Sequence, residues 1–420
     1  MMLSVFQRAG LRVDSLARAS AALMSAQIIN GVLGLLFWMV VSRDYPVAQV
    51  GEATTVIALV TSVTLVTTAG FTPMLLLAIP RSRDRETAAA ISWTAYGVAG
   101  GFGAATAALA GVVLPYFSPN LAFLSSGLLL WVVVAAAALT AASAVVDPSA
   151  TGAKRTWLAA VRAVAFSAGK LGLLVVLLAA EWEPVYAVAV AWGVTAGVTS
   201  VVVLAWAHRW VVPRYWRTAV ATMKSGLSHH YVSAISAQLP PLLVAVMVTG
   251  VLGTAQSARY SITWALASVF FMVSPSIASA SLAHAAADSS GLRQRITHAA
   301  RLTAAALVIP VGASLLFASS LVSLFGDDYR GAAPLLMLFA LSAVPDAVIN
   351  LAVAAARVRG DLRHASVINV TRGGATLLAV ALLLPTIGLP AAALGWLVGQ
   401  LAGVVLVAEY ARRSRIRWQR

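Results

Sequence analysis

The sequence predicts an all-α polytopic membrane protein of about twelve transmembrane helices, arranged as two parallel six-helix lobes around a central cavity. Composition identifies the solvent: of 420 residues, 60% are hydrophobic and 10% charged, with a mean hydropathy of +0.88, whereas soluble domains carry roughly 25% charged residues. Twelve apolar runs are each long enough to cross about 30 Å of hydrocarbon. The cations collect in alternate connections, as spans that cross in opposite directions require.

In the first half the spans are predicted at residues 20–41, 53–79, 88–115, 121–145, 156–180 and 185–207. In the second half they are predicted at 231–251, 261–283, 302–325, 332–356, 365–385 and 389–410. The chain then divides into an N-terminal segment (1–18), a first lobe (19–210), an inter-lobe loop (211–230), a second lobe (231–410) and a basic tail (411–420). The first span follows Arg8, Arg12 and Arg18 as a signal peptide would, but it is too long for a usual h-region and is read as a retained helix. The preceding segment mixes Leu3, Phe6 and Leu11 with arginines, which suits either a short interfacial helix or a frayed tail.

Of the 29 Lys and Arg residues, 23 fall in one alternate set of connections, from Arg8 to the C-terminal run Arg412 to Arg420. The other set holds Arg43, Arg259 and Arg330 beside six acids: Asp44, Glu52, Glu181, Glu183, Asp327 and Asp328. Both termini are expected in the cytoplasm of a multi-pass protein of the inner or plasma membrane. The net charge of +15 is thus a topology signal, and no nucleic-acid partner is implied. The basic tail serves either as a topology anchor or as a contact for anionic lipid headgroups.

Short outside loops argue against a polytopic polymerase or ligase and against a receptor with an ectodomain. The inter-lobe loop lacks a GxxxxGK[ST] phosphate loop, so ATP hydrolysis by this chain is not expected. The chain has no cysteine, and its six histidines, all mapped to the cytoplasmic side at interfacial positions, show no metal-ligand spacing. No enzyme activity, cofactor or metal is expected. A secondary transporter or a structural membrane protein remains.

Internal similarity supports a six-plus-six division. Arg85-Glu86-Thr87-Ala88-Ala89-Ala90 at the third span matches Arg301-Leu302-Thr303-Ala304-Ala305-Ala306 at the ninth, and Ser25-Ala26-Gln27 in the first matches Ser236-Ala237-Gln238 in the seventh. An even number of spans per repeat keeps the two halves parallel.

The run from Ser25 to Gly34, followed by Ser42-Arg43 and Val50-Gly51-Glu52-Ala53, resembles the opening of lipid-linked oligosaccharide flippases of the multidrug/oligosaccharidyl-lipid/polysaccharide (MOP) exporter superfamily. Leu324-Phe325-Gly326-Asp327-Asp328-Tyr329, Ala332-Ala333-Pro334-Leu335-Leu336 and the run from Ile387 to Ala393 resemble the C-terminal part of the same proteins. The resemblance implies two six-helix lobes in a V, moving lipid-linked sugars from the inner to the outer leaflet. Twelve spans suit the polysaccharide branch. The multidrug branch often couples to ions through an acid deep in the first helix, where this chain has Gln27 and Asn30 instead.

Ionisable groups at membrane depth mark candidate sites. Lys170 lies about 20 Å along the fifth span at 1.5 Å per residue, too deep to snorkel to either surface. Its readings are a cavity-lining cation for an anionic head or one half of a buried pair. Arg162, two turns earlier, either forms a ladder with Lys170 or snorkels to the interface. In the second half Asp346, after Pro345, and Arg372 lie at similar depths. They form either a structural ion pair or an ion-coupling carboxylate with its modulator. Thr54, Thr61, Thr64, Thr68 and Thr72 align on one helical face, where they would bond sugar hydroxyls or, equally, their own backbone. The expected binding set is Lys170, Arg162, Arg372, Gln27, Asn30, Thr61 and Thr68, with Asp346 as the ion-coupling candidate.

Gly97/Gly101, Gly193/Gly197 and Gly395/Gly399 are GxxxG pairs expected to pack helices. Prolines at 240, 241, 275, 310 and 345 make spans seven to ten the more pliable half.

Together these readings predict a flippase moving an anionic polyprenyl-(pyro)phosphate-linked oligosaccharide for cell-surface polysaccharide biosynthesis, by alternating access and without ATP. Its expected partners are the polyprenyl-linked glycan, the bilayer, and a polysaccharide polymerase or glycosyltransferases. The alternatives are an ion-coupled exporter of small amphiphiles and a non-transporting scaffold of a glycan assembly complex.

Overall fold

The computed structural model describes residues 29–82, 84–208, 229–283 and 292–418; these form helices and connecting turns, with no strand among them. Helix α1 covers residues 29–44. There follow α2 (Val47–Thr68), α3 (Phe71–Ala78), α4 (Arg85–Phe117), α5 (Gly127–Ala144), α6 (Val146–Gly152), α7 (Thr156–Ala179) and α8 (Pro184–His208). The second half contains α9 (His229–Leu252), α10 (Thr254–Ala283), α11 (Leu292–Leu316), α12 (Ala318–Ser323), α13 (Ala333–Val358), α14 (Leu362–Ile387) and α15 (Pro390–Trp418). Among the described residues, eleven helical stretches are long and apolar enough to cross a membrane, and α1 is the described part of the first predicted span.

The structure redraws the second, fourth, eighth and ninth spans. The second span, expected at 53–79, starts at Val47 and stops at Thr68, and a turn at Ala69 and Gly70 sets α3 off as a separate helix. The fourth, expected from 121, begins at Gly127 after a 3-10 turn over Pro119–Ser125, which Ser118 caps by accepting from the Asn120 N–H at 3.2 Å. Gly127 takes φ +29°, a value that favours glycine and breaks the two helices apart. The eighth reaches back to Thr254, because Ser257 and Arg259 continue the helix although they dilute its hydropathy. The ninth already includes Leu292 and stops at Leu316, so Arg301 lies inside α11 and does not open it as Arg85 opens α4.

Two compact units emerge. The first holds α1 up to Phe37, Val63–Gly111, and helices α5 to α8; the second holds Trp38–Ser62, Val112–Ser126 and the helices from α9 onward. The first unit has apolar clusters around Leu75, Ile91 and Val145 and around Leu158 and Leu204. The second has clusters around Ile349, Val353 and Ile368 and around Ala299 and Leu351.

Small residues set the closest helix contacts. A Cβ at Gly193 would meet the Ala136 backbone and one at Gly197 the Leu139 side chain, so this pair seats α8 on α5. Gly395 and Gly399 seat α15 on α14 in the same way, against Val380, Thr376 and the Arg372 carbonyl. Gly97 and Gly101 face open space; on α4 the seam is made by Gly100 and Gly103, against Ala137, Ala138, Ala141 and Ala142 of α5. Pro240 and Pro241, Pro275, Pro310 and Pro345 lie inside α9, α10, α11 and α13 respectively, and Pro385 inside α14.

Candidate functional site

On α7 the buried side chains Leu158, Arg162, Ser167, Lys170 and Leu174 recur every three to five residues, the spacing of one helix face. Both cations of this helix therefore point into the first unit.

Lys170 is 5% exposed. Its Nζ stands 4.0 Å from the Trp192 ring centroid, 5.0 Å from Phe166 and 5.2 Å from Phe37. The rings meet edge to face, Phe37 with Trp192 at 6.0 Å and Phe166 with Trp192 at 5.6 Å. Phe166 comes from the preceding turn of α7, Phe37 from α1 and Trp192 from α8. Each ring face offers its negative quadrupole, an attraction of ~0.5–2 kcal/mol. Such a cage holds an ammonium without cancelling its charge. No carboxylate pairs with Lys170 among the described residues, whose ion pairs all lie elsewhere.

Arg162 is differently placed. Its Nε and Nη2 donate to the two carboxylate oxygens of Asp147 at 2.6 and 2.5 Å, and Nη1 donates to Ser143 Oγ at 2.7 Å. This bidentate fork neutralises the guanidinium. The ladder of two free cations expected from the sequence is not what the side chains form: Arg162 is committed to α5 and α6, and Lys170 stands apart without a carboxylate among the described residues. Asp147 lies just past the fourth predicted span, beside Pro148, and is not among the six acids that the charge pattern singles out.

Asn30 is half-buried and its Oδ1 accepts a hydrogen bond from Ser167 Oγ, one turn before Lys170. Gln27 lies outside the described residues. Of the threonine stripe, Thr54 donates to Gly51 O at 3.0 Å and Thr68 to Thr64 O at 2.6 Å, so these hydroxyls are spent on their own helix. Thr61 is half-buried on α2, and Thr72 sits across the break in α3 and leaves the stripe.

In the second unit Asp346 and Arg372 meet. Arg372 Nη1 donates to Asp346 Oδ1 at 3.1 Å, Asn350 Nδ2 donates to Oδ2 at 2.7 Å, and Arg372 Nη2 donates to the Ala237 carbonyl at 3.3 Å. Both charged side chains are under 8% exposed. The carboxylate and guanidinium are thus mutually compensated and tied to α9. Nearby, Trp264, Phe271, Phe339 and Trp396 form an aromatic cluster with no cation in it, and centroids of Trp264 and Trp396 lie 4.9 Å apart. Gln400, one turn beyond Trp396, is fully buried, and neither of its amide atoms has a partner among the described residues.

The histidine expectation needs one correction: His208 is buried, with Nε2 3.2 Å from Ser92 Oγ, because α8 packs its last turn against α4. His298 and His364 are exposed. Among the described residues no group of three His, Asp or Glu side chains could hold a metal.

Sequence reasoning missed the cage and Asp147. Phe166 lies four residues before Lys170, and Asn350 four after Asp346, a spacing legible on a helix. Phe37 and Trp192 are brought in by helices far along the chain, which no local pattern reveals.

No protein-family model matches the chain, and no curated protein matches it. Solved structures do match it along nearly its whole length. One is an inward-facing multidrug-resistance MATE family transporter of the MOP superfamily, at 15% identity and TM-score 0.68, covering 94% of this chain and 98% of that one. Another is the lipid II flippase MurJ in an inward closed conformation, at 11% identity and TM-score 0.73, covering 93% of this chain and 87% of that one. A third is a mutant of the Vibrio cholerae MATE transporter VcmN, at 17% identity and TM-score 0.54, covering 96% of this chain and 98% of that one. The chain therefore has the fold of the MOP-superfamily transporters, and within that fold its first unit encloses a caged, uncompensated lysine.

Proposed function

We propose that this protein is a MOP-type transporter that moves an anionic polyprenyl-(pyro)phosphate-linked oligosaccharide from the inner to the outer leaflet. It works by alternating access, without chemical conversion of its cargo, in the cell membrane with both termini cytoplasmic. The observation that supports this reading is Lys170. A charge at membrane depth costs several kcal/mol unless something compensates it, and of the three buried Lys and Arg side chains among the described residues Arg162 and Arg372 have carboxylates. Among the described residues Lys170 has only ring faces around it, so it offers a positive potential that an anionic head crossing the hydrocarbon would complement. Phe166 and Trp192 are half-buried, which leaves two walls of the cage reaching the surface of the unit.

The glycan reading extends the resemblance of the terminal sequence runs. It makes a polysaccharide polymerase or glycosyltransferases the functional partners. The test is gene deletion followed by assay of polyprenyl-linked glycan on the inner leaflet, with complementation by wild type and by Lys170→Ala. Accumulation that wild type clears and Lys170→Ala does not is the expected result. No accumulation on deletion sinks the flippase reading.

A second reading, an ion-coupled exporter of small amphiphiles, draws on the shared fold of multidrug transporters and on the buried carboxylate of Asp346. It predicts that cationic amphiphiles become more toxic on deletion, and that Asp346→Asn abolishes protection while Lys170→Met does not.

A further inference from the structure

The Lys170 cage contains a second hydrogen-bond donor that no role so far uses. Trp192 Nε1 is buried and has no partner among the described residues, and it belongs to the ring nearest the ammonium, whose centroid is 4.0 Å from Nζ. A buried indole N–H without an acceptor is costly, and Trp N–H groups at such depth ordinarily find a partner. The ring's own face is occupied by the ammonium, while its N–H points outward along the ring plane. One indole thus meets the cationic donor with its face and carries a neutral donor on its edge. Trp192 is half-buried as a residue, while its Nε1 is buried within the unit. One turn further along α8, Thr195 is buried beside Gly169, and Asn30 and Ser167 lie one turn back on the α7 side.

We propose that Trp192 is a substrate-binding residue: its Nε1–H and the Lys170 ammonium jointly bind a phosphate or pyrophosphate oxyanion, and the aromatic cage holds the ammonium when no anion is bound. This rests on the reading of an anionic cargo and adds to it a named contact and a competition. The cage and the anion share one ammonium, so each ring that is only a wall opposes anion binding, whereas a ring that donates supports it.

That difference gives substitutions of opposite sign. Phe166→Leu removes a wall and no donor, so it should leave oxyanion affinity unchanged or raise it. Trp192→Phe keeps a ring and deletes the N–H. If Trp192 were only a wall, affinity would stay or rise; if it donates to a charged oxygen, affinity falls about tenfold or more. The probes are farnesyl pyrophosphate, inorganic pyrophosphate and uncharged farnesol, titrated calorimetrically against the purified full-length protein in detergent, with melting temperature as the check on folding. Wild type should bind farnesyl pyrophosphate and not farnesol. Comparable binding of inorganic pyrophosphate would assign the site to a free anion and not to a lipid head. Trp192→His, which restores a ring N–H, should recover part of the loss, and it replaces Trp192→Phe as the deciding variant if the latter does not fold. Undiminished binding by Trp192→Phe, or a Trp192→His variant that binds no better than the Lys170→Met variant, overturns the proposal for Trp192. Failure of wild type to bind either pyrophosphate, or undiminished binding by Lys170→Met, overturns the anionic-cargo reading itself.

Discussion

The two units place an intramembrane cation inside an aromatic neighbourhood or beside a carboxylate, but not both. In the first unit Lys170 lies among Phe37, Phe166 and Trp192 with no carboxylate among the described residues. In the second the aromatic cluster of Trp264, Phe271 and Trp396 is uncharged, and Arg372 is neutralised by Asp346 on a neighbouring helix. The units are alike in one respect. Each has an arginine, Arg162 on α7 or Arg372 on α14, clasped to an aspartate on the element before it. What separates them is the extra, unclasped lysine, and a charge kept at depth without neutralisation points to use rather than to bracing.

The largest expected effect comes from unbalancing a clasp. Arg372→Met leaves Asp346 buried and unpaired, and should cost ~3–5 kcal/mol of stability, read as a lowered melting temperature in detergent. Adding Asp346→Leu should recover most of it. In the first unit Arg162→Met should cost less, because the Asp147 side chain it leaves unpaired is 38% exposed against 5% for Asp346. Equal losses in the two units would break the comparison at its root.

Packing should respond alike in both units. Gly193→Ala drives a Cβ into the Ala136 backbone, and Gly399→Ala drives one into the Arg372 carbonyl, so each should destabilise by ~1–3 kcal/mol. The uncompensated groups should behave in the opposite sense. Gln400→Leu removes a fully buried amide without partners and should raise stability by ~1 kcal/mol. Lys170→Met should leave the melting temperature level or higher while transport is lost. A lysine whose removal unfolds the protein would be a structural residue and nothing more.

The smallest effect concerns Asp361, between α13 and α14. Burial pushes its carboxyl up, but the His364 backbone N–H, the His364 ring and the Tyr410 hydroxyl outweigh this and hold it below the ordinary 3.8. A depressed folded-state pKa adds stability that is full above 3.8 and fades as pH falls through the lower folded value. Wild type should therefore lose slightly more stability on acidification below pH 3.8 than Asp361→Asn, as a thermal-melt series would record.

The fold is legible where the sequence states its periodicity plainly. The predicted 156–180 and 185–207 spans fall within a residue of α7 and α8 at both ends, since each is an unbroken apolar run ended by polar or charged residues. Spans two, four, eight and nine move because helices continue through Arg259 and break at Gly70, Gly127 and Phe317, features a hydropathy window smooths over. Of the site, Lys170 and the Asp346–Arg372 pair are visible as ionisable residues in apolar runs. The partners that decide their chemistry are not: Asp147 stands outside any predicted span, and Phe37 and Trp192 look like ordinary apolar residues until α1 and α8 bring them to α7.

The central claim is that Lys170 carries an unneutralised charge in order to pass an anionic lipid head. It is tested most directly in vesicles reconstituted with the purified protein and with the polyprenyl-linked glycan recovered from the deletion strain. The readout is how fast that lipid becomes accessible at the outer leaflet. Wild type should flip it, and Lys170→Met, folded and equally abundant, should fall to the rate of protein-free vesicles. Flipping by Lys170→Met at the wild-type rate would contradict the account.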